Sequence, residues 1–209
     1  MIVKEPYWFF KKIIPDHLCD NIVKYAYEQF TTEIALTSWN DEDLKNRILK
    51  GDPEALKKQH EIRKSSIVWL DEAWIFNLIK PPISIANKNA GWNFNYFSFE
   101  RFQFTIYKEN GYYDWHQDIV NDASDERKIS ASLFLNDSDD YEEGEFQFKY
   151  QDGRNKGDTK ITTLDRSMCK KGSLLVFPSY IYHRVKPVKK GIRNSLVIWS
   201  RGPKFQWMK

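Results

Sequence analysis

Cysteine is nearly absent from this chain of 209 residues: Cys19 and Cys169 are the only two, far apart and without C-x-x-C spacing. A disulfide scaffold is therefore not expected, and a reducing compartment is the default prediction. A run of about 18 apolar residues, as a membrane span needs, is also missing. The first residues do not have the layout of a signal peptide, because Pro6, Lys11 and Lys12 interrupt their apolar stretch. We therefore expect a soluble, cytoplasmic protein with no membrane partner.

Neither sign of charge dominates. The chain carries 32 Lys and Arg residues against 29 Asp and Glu residues, and its formal net charge is +3. A dedicated nucleic-acid binder would concentrate basic residues in one patch, so a nucleic-acid partner is not expected. The length suits a single domain over residues 1-209, long enough to bury a core without disulfides. Composition leaves the oligomeric state open.

What the chain does have is apolar and aromatic residues, at 41% and 16% of the total. Residues 1-93 are predicted to be a helix-rich support, because residues 17–30 repeat apolar side chains at three- and four-residue steps. A strand is predicted over residues 63–70 and a second core-facing helix over residues 71–87. The polar, helix-forming segment 40–60 is either an excursion over the surface or a mobile lid, and its pattern does not distinguish the two.

Residues 94–200 have the pattern of a β structure. Residues 97–107 alternate apolar and polar side chains, as a half-buried strand does. Short strand-like runs divided by turn residues follow, over residues 113–119, 129–135, 144–150, 161–164, 173–177, 181–188 and 195–200. Their number predicts a double-sheet antiparallel barrel or sandwich, with the early helices covering one face.

Residues 111–118, with the sequence GYYDWHQD, contain the pattern His116-x-Asp118. On an extended segment, residues two apart point to the same side, so this imidazole and this carboxylate would converge at one strand end. With a second histidine they would form the two-histidine, one-carboxylate facial triad, which binds Fe(II) and leaves the opposite side of the metal open. Alone the pattern is weak, because a polar strand end facing water explains most such matches.

A second histidine follows an apolar run. Residues 173–177 lead into Pro178, the chain turns, and His183 stands on the next strand-like segment. Arg193 comes ten residues later, and Ser195 would share its side of an extended strand. A guanidinium holds a carboxylate through two parallel hydrogen bonds. Its spacing behind a candidate metal ligand favours an anion site over the alternative of a surface arginine.

Taken together, these residues resemble the 2-oxoglutarate/Fe(II)-dependent dioxygenase superfamily. The closer resemblance is to its prolyl 4-hydroxylase-like branch and, within that, to the bacterial and phage PKHD-type hydroxylases. It extends from about residue 94 to residue 200, and before that only the helix–strand–helix layout is similar. The matching segments are Tyr107-x-x-x-Gly111, 129–136, Tyr141-x-x-Gly144-Glu145, 177–185 and 188–199.

The resemblance implies a mainly β fold with flanking helices (α+β), in which N-terminal helices pack on one face of a double-stranded β-helix, a jelly-roll or cupin-like core spanning residues 94–200. It implies Fe(II), 2-oxoglutarate and O2 as cofactors, with ascorbate as an optional reductant. The expected reaction is hydroxylation of an unactivated C–H bond, most plausibly of a prolyl or other peptidyl residue, with release of succinate and CO2. The implied site residues are the metal ligands His116, Asp118 and His183 and the 2-oxoglutarate ligands Arg193, Ser195 and Tyr107.

Three positions depart from or bear on the family pattern. The family's paired glycine before the glutamate is Glu143-Gly144 here, which leaves the conformation of that turn open. Ser130 stands where prolyl hydroxylases often have threonine, a conservative change. Asp118 is present, whereas halogenating relatives have a small residue there that leaves room for chloride. Hydroxylation is therefore favoured over halogenation.

Two other functions remain open. The same chemistry could act on a small molecule, such as a free amino acid or lipid, or on a nucleobase. Alternatively, the chain could be a non-catalytic, cupin-like metal-binding module or a structural phage-type component. A module without turnover has no need of Arg193 and Ser195 beside an intact triad, which disfavours the second alternative. The substrate, peptide or small molecule, would be selected by loops 40–60, 71–93 and 151–160, whose sequences do not name it.

Overall fold

A computed structural model of the chain describes residues 5–29, 33–34, 42–119, 125–151 and 159–205. The helices are α1 (Asp16–Glu28), α2 (Glu42–Leu49), α3 (Pro53–Ile62) and α4 (Ala73–Asn89), with a short 3-10 turn at Ser138–Asp140. The strands are β1 (Trp8–Phe10), β2 (Glu33–Ile34), β3 (Arg63–Lys64), β4 (Ser66–Leu70), β5 (Ser98–Phe99), β6 (Phe102–Tyr107), β7 (Tyr112–His116), β8 (Asp125–Phe134), β9 (Tyr141–Glu143), β10 (Phe146–Gln151), β11 (Thr159–Thr163), β12 (Leu174–Pro178), β13 (Tyr182–Val185), β14 (Val188–Gly191) and β15 (Arg193–Pro203). Most of loop 151–160 lies outside the described residues. Within those residues, no helix is long and apolar enough to cross a membrane.

The strands form two large antiparallel sheets and a small one. The larger sheet has the order β1-β12-β8-β15-β6-β4-β2, with β5 also paired to β15. The second has the order β11-β10-β13-β7-β3, and β14 pairs with β9 in the third. The predicted class, mainly β with flanking helices, is confirmed.

The larger sheet is covered by helices on its outer side. Ile22 and Ala26 of α1 and Ile79 and Ile83 of α4 are fully buried, at the three- and four-residue spacing of an amphipathic helix. They belong to one apolar cluster with outward-facing side chains of β6, β8 and β15. The predicted packing of N-terminal helices on one face is therefore confirmed.

The prediction of one half-buried strand over residues 97–107 is wrong in two respects. The segment divides into β5 and β6, and all six residues of β6 are buried. Phe102, Phe104 and Ile106 face the helices, while Tyr107 belongs to a second apolar cluster. That cluster also contains residues of β10 and β13, from the second sheet. The strand is buried on both sides because a layer covers each face of its sheet.

The predicted strand 63–70 also divides. Its first part, β3, pairs with β7 in the five-stranded sheet, and its second part, β4, pairs with β6 in the larger sheet. The chain therefore passes from one sheet to the other at Ser65. This change of sheet carries Arg63 to the edge of β7, the strand that ends at His116.

Candidate metal centre

The pairing of β7 with β13 brings the two histidines together, because His116 stands opposite His183 in the register. Asp118 lies two residues beyond the end of β7, so the strand predicted over residues 113–119 is shorter than expected and ends at His116. A hydrogen bond places Asp118 instead: its backbone N–H donates to the carbonyl of Ser179 at 2.9 Å. The side chain of Gln117 adds a second link by donating to the carbonyl of Tyr180.

The three side chains converge on a point inside the protein. The Nε2 atom of His116 lies 3.7 Å from Oδ1 of Asp118, and Nε2 of His183 lies 3.5 Å from Oδ2. One ligand atom from each residue lies within 4.8 Å of the others. The side chains are 13%, 6% and 6% exposed for His116, Asp118 and His183. These separations exceed an ordinary hydrogen bond, so the groups surround a shared space rather than bonding directly to one another.

Backbone carbonyls set the tautomer of both imidazoles. Nδ1 of His116 lies 2.7 Å from the carbonyl oxygen of Asp114, and Nδ1 of His183 lies 2.9 Å from that of Ile181. A carbonyl oxygen only accepts hydrogen bonds, so each Nδ1 carries the proton and donates it. Nε2 of each ring then faces the shared space beside Asp118, where its lone pair can bind a metal. Metal-binding histidines are oriented in this way by their second nitrogen.

The ionisation of the site also suits a cation. Burial and the neighbouring His183 lower the pKa of His116 to about 3, against the opposing effect of Asp118. Burial raises the pKa of Asp118, but His183, His116 and Arg127 outweigh it and bring the pKa to about 2. Near neutral pH His116 is therefore neutral and Asp118 is ionised, which are the ligand forms of both groups.

One buried oxygen at the centre tests whether a metal fits. Oδ2 of Asp118 has no hydrogen-bond partner among the described residues, although it is shielded from solvent. An ionised carboxylate left in this state is costly unless a cation compensates it. A divalent cation would take this oxygen and the two Nε2 lone pairs together. Two imidazoles and one carboxylate form the donor set of non-haem Fe(II) sites, so the residues present fit Fe(II).

Arg193 lines the same cavity from the other sheet. It is 1% exposed, and its Nη1 donates to Oγ of Ser195 at 3.3 Å. Nε and Nη2 are buried and have no hydrogen-bond partner within the described parts of the chain. The guanidinium carbon lies 5.5 Å from the ring centre of Tyr107 and 5.3 Å from that of Phe134. A buried cation with two unused donors on an aromatic wall is suited to a carboxylate.

The structure gives the conformation of the turn before β10, which the sequence Glu143-Gly144 left open. Both residues have positive φ, 61° for Glu143 and 69° for Gly144. A Cβ at Gly144 would lie 2.8 Å from Cγ2 of Val188 and 3.4 Å from Cδ of Arg193. The glycine that remains therefore lets the turn approach the arginine closely, while the position occupied by Glu143 keeps the left-handed conformation without a glycine.

Sequence reasoning missed the aromatic side chains that line the cavity and one of its two arginines, Arg63. The ring of Tyr113 stacks on His116 with centres 3.4 Å apart, and Phe146 stacks on His183 at 5.5 Å. Tyr113 is three residues before His116, which on a regular strand would put it on the opposite side, but this pairing is irregular. Arg63 lines the cavity as well, and the predicted continuous strand 63–70 gave no signal that it would.

Some residues near the pattern lie away from the cavity. Trp115 belongs to the other side of β7, with Arg184 and Lys149 over its ring. His60 is exposed at the end of α3. The acidic segment 137–145 is occupied by local contacts, such as the ion pair of Asp139 with Lys170 at 2.6 Å.

Comparison with protein families agrees with this geometry. Residues 102–201 match the family model described as "2OG-Fe(II) oxygenase superfamily". A PKHD-type hydroxylase of Xylella fastidiosa (strain 9a5c) is 33% identical over 107 residues, which cover 46% of this chain and 42% of the relative. A PKHD-type hydroxylase of Teredinibacter turnerae is 33% identical over 102 residues, covering 46% and 41%. The chain thus spans less than half the length of these relatives.

Solved structures resemble almost the whole chain. A prolyl-4-hydroxylase of Pseudomonas putida has a TM-score of 0.66 at 19% identity, covering 95% of this chain and 94% of its own. The viral collagen prolyl hydroxylase of Paramecium Bursaria Chlorella virus-1, as a complex with 2-oxoglutarate, has a TM-score of 0.63 at 18% identity, covering 97% and 99%. A prolyl hydroxylase of Trichoplax adhaerens in complex with a hypoxia inducible factor peptide has a TM-score of 0.65 at 17% identity, covering 93% and 83%. At these identities the likeness shows the fold, and it confirms the predicted double-stranded β-helix.

Proposed function

We propose that the chain is an Fe(II)- and 2-oxoglutarate-dependent dioxygenase that hydroxylates an unactivated C–H bond, since residues 102–201 match the model of the 2OG-Fe(II) oxygenase superfamily. The observation that carries the proposal is one cavity containing both a carboxylate oxygen of Asp118 and two guanidinium nitrogens of Arg193 that have no hydrogen-bond partner among the described residues. A metal and a cosubstrate carboxylate together would complete these groups. We propose that residues 1-209 form one dioxygenase domain.

The residues divide into two sets with different tasks. His116, Asp118 and His183 hold Fe(II) through Nε2, a carboxylate oxygen and Nε2. Arg193 holds the C5 carboxylate of 2-oxoglutarate through its free Nε and Nη2, on a wall formed in part by Tyr107. Ser195 keeps Nη1 in place through its hydroxyl.

Bound together, Fe(II) and 2-oxoglutarate supply the redox chemistry, in which O2 is consumed, succinate and CO2 are released, and one oxygen atom is added to the substrate carbon. The protein positions the reactants and excludes water. Phe177 and Phe146 pack their rings beside His183 and keep that side of the cavity apolar. The hydrogen bonds from Asp118 and Gln117 to the 179–180 turn hold the carboxylate in place before a ligand arrives.

A prolyl or other peptidyl residue is the substrate that the relatives favour. The matched proteins are PKHD-type hydroxylases, and the structural neighbours are prolyl hydroxylases, one of them bound to a peptide. We extend this to the present chain as a proposal, with ascorbate as a reductant and the cytoplasm as location. A small-molecule or nucleobase substrate uses the same residues, so the first test needs no substrate.

The test is turnover of 2-oxoglutarate in the absence of substrate. Protein loaded anaerobically with Fe(II) and 2-oxoglutarate should accumulate succinate above a protein-free control once air is admitted, with and without ascorbate. His183→Ala should lower Fe(II) affinity by more than about 100-fold, because loss of an outer-shell partner alone costs 10–100-fold. His17→Ala, at an exposed histidine of α1, is the matched control and should behave as the wild type. Iron-loaded wild type that yields no succinate would support the non-catalytic metal-binding module instead.

A further inference from the structure

Arg63 is a second buried guanidinium in the cavity, and the proposed reaction does not use it. It is 4% exposed, it lines the same cavity as the triad, and its Nη2 is buried with no hydrogen-bond partner among the described residues. Its Nε donates to Oγ of Ser65 at 2.8 Å, and this hydrogen bond fixes the orientation of the guanidinium. No carboxylate within the described ranges makes an ion pair with it.

The guanidinium is held next to the metal ligands by stacking. Its central carbon lies 4.6 Å from the ring centre of Tyr113, whose ring in turn stacks on His116 at 3.4 Å. A tyrosine phenol is neutral near pH 7, so the Tyr113 ring does not balance the charge. Arg63 therefore presents an uncompensated positive charge close to the site of reaction.

The charges in the cavity leave room for one more anion. The ionised side chains that line it, among the described residues, are Asp118 and the two arginines. Fe(II) would add two positive charges, and the dianion 2-oxoglutarate would remove two. One positive charge then remains, and Arg193 is already matched by the cosubstrate. A buried unpaired cation is costly, so a ligand carboxylate at Arg63 would relieve this cost.

Arg63 and Arg193 reach the cavity from different sheets. Arg193 lies on β15, in the middle of the larger sheet, whereas Arg63 lies on β3, the edge strand of the other sheet. β3 follows directly from α3. The two guanidinium groups thus belong to different strands of different sheets, and a cosubstrate carboxylate on Arg193 leaves Arg63 available to a second anion.

We propose that Arg63 binds a carboxylate of the substrate, so that the substrate class is acidic: a molecule with a carboxylate beside the C–H bond to be hydroxylated. This inference rests on the proposed function. The carboxylate can belong to a free amino acid or to a peptide, and both present the same anion to the guanidinium. The neutral backbone of a peptide without a nearby acidic group would leave Arg63 unmatched.

The experiment uses protein loaded with Mn(II) in place of iron and with 2-oxoglutarate, so that ligands bind without turnover. Binding of Mn(II) and 2-oxoglutarate is measured first, and its absence counts against the proposed function. Propionate and its neutral counterpart propionamide are then titrated by calorimetry. Wild type should prefer propionate by about 10-fold or more, the effect of one charge-assisted hydrogen bond to a buried cation.

Three variants assign the preference to Arg63. Arg63→Gln should abolish it while changing 2-oxoglutarate affinity less than about twofold, and Arg63→Lys should retain part of it, because the charge remains but the fork is lost. Lys64→Gln, at the exposed neighbour on β3, is the matched control and should keep the preference. Should Arg63→Gln fail to fold, the wild-type preference and the Arg63→Lys variant still decide the question.

A final arm separates the two sources of the carboxylate. L-proline carries it as a free amino acid, and acetyl-prolyl-aspartyl-amide carries it within a blocked peptide. The source of the substrate is the one whose probe loses affinity on Arg63→Gln. Absence of propionate binding in loaded wild type, or a preference unchanged in Arg63→Gln, would overturn the proposal. So would a loss of 2-oxoglutarate affinity in Arg63→Gln, because Arg63 would then serve the cosubstrate.

Discussion

Strands β6 and β15 carry two surfaces of equal burial and opposite character. On the side facing the helices, Phe104, Ile106, Leu196 and Ile198 are at most 1% exposed. Every one is apolar, and their neighbours in the cluster are apolar too. This surface is complete within the chain, because its partners are all side chains of the same molecule.

On the side facing the cavity, burial is just as deep but partners are missing. Tyr107, Arg193 and Ser195 are 3%, 1% and 1% exposed, and two nitrogen atoms of the arginine make no hydrogen bond. The difference teaches that burial alone does not identify a stabilising residue. The helix-facing side should determine the free energy of unfolding, and the cavity-facing side should determine the affinity for ligands.

The largest effect should come from Phe104→Ala. Truncating a fully buried phenylalanine removes apolar contacts and leaves a cavity, so the free energy of unfolding should fall by about 3–5 kcal/mol. Urea unfolding measures this change. Phe97→Ala, at a side chain that is 66% exposed, is the control and should have little effect. Affinity for Fe(II) and 2-oxoglutarate should be unaltered in folded Phe104→Ala, and a loss there would break the separation of the two surfaces.

Arg193→Met should weaken ligand binding without lowering stability, the reverse of the effect expected for Phe104→Ala. Loss of the charged fork should weaken 2-oxoglutarate binding by about 2–3 kcal/mol, roughly 30- to 150-fold, with Fe(II) affinity nearly intact. The free energy of unfolding of the ligand-free protein should not fall, because the substitution removes an uncompensated buried charge and keeps an apolar side chain of similar length. Calorimetric titration and urea unfolding on one sample measure both. Wild-type affinity for 2-oxoglutarate would place the cosubstrate elsewhere.

The smallest effect is the pH dependence of stability between pH 7 and 5, at most about 2 kcal/mol from His116. The pKa of His116 is lowered from 6.5 to about 3, so between these values the unfolded chain binds a proton that the folded chain does not. Stability of the metal-free protein should therefore fall as pH decreases from about 6.5 towards 3, with a slope of at most about 1.4 kcal/mol per pH unit from this group. The lowered pKa of Asp118 adds the same trend only below about pH 4.

His116→Asn should flatten that slope, measured as the urea midpoint at pH 7, 6 and 5. His17→Asn, at an exposed histidine, should leave the slope as it is in the wild type. Equal slopes in the wild type and His116→Asn would show that burial of the imidazole does not lower stability at acidic pH. The contrast drawn between the cavity-facing and helix-facing sides would then be weaker.

The second half of the chain was the more predictable from sequence. The residues of the candidate triad and Arg193 follow from spacing and residue type, and the structure brings them into one cavity. Strand periodicity nevertheless accounts for His116 and not for Asp118, which lies beyond the end of β7. Their convergence depends on a hydrogen bond to Ser179, and a contact so distant in sequence leaves no trace in local periodicity.

The first half was predictable only in outline. Helices α1 and α4 follow from apolar spacing, but the role of Arg63 depends on a change of sheet within residues 63–70. Strand propensity is the same on either side of such a change, so the sequence pattern predicts one continuous strand. The burial of both faces of β6 likewise depends on layers supplied by other parts of the chain.

The pairing of His116 with His183 also has a kinetic consequence. These ligands come from segments far apart in the chain, and they meet only when β13 docks on β7. Such long-range pairing forms late, because the entropy of closing the intervening loop must be overcome first. The binding site for iron is then absent from the transition state for folding. Iron should slow unfolding and leave the folding rate unchanged. The metal would therefore stabilise the folded protein kinetically without accelerating its folding.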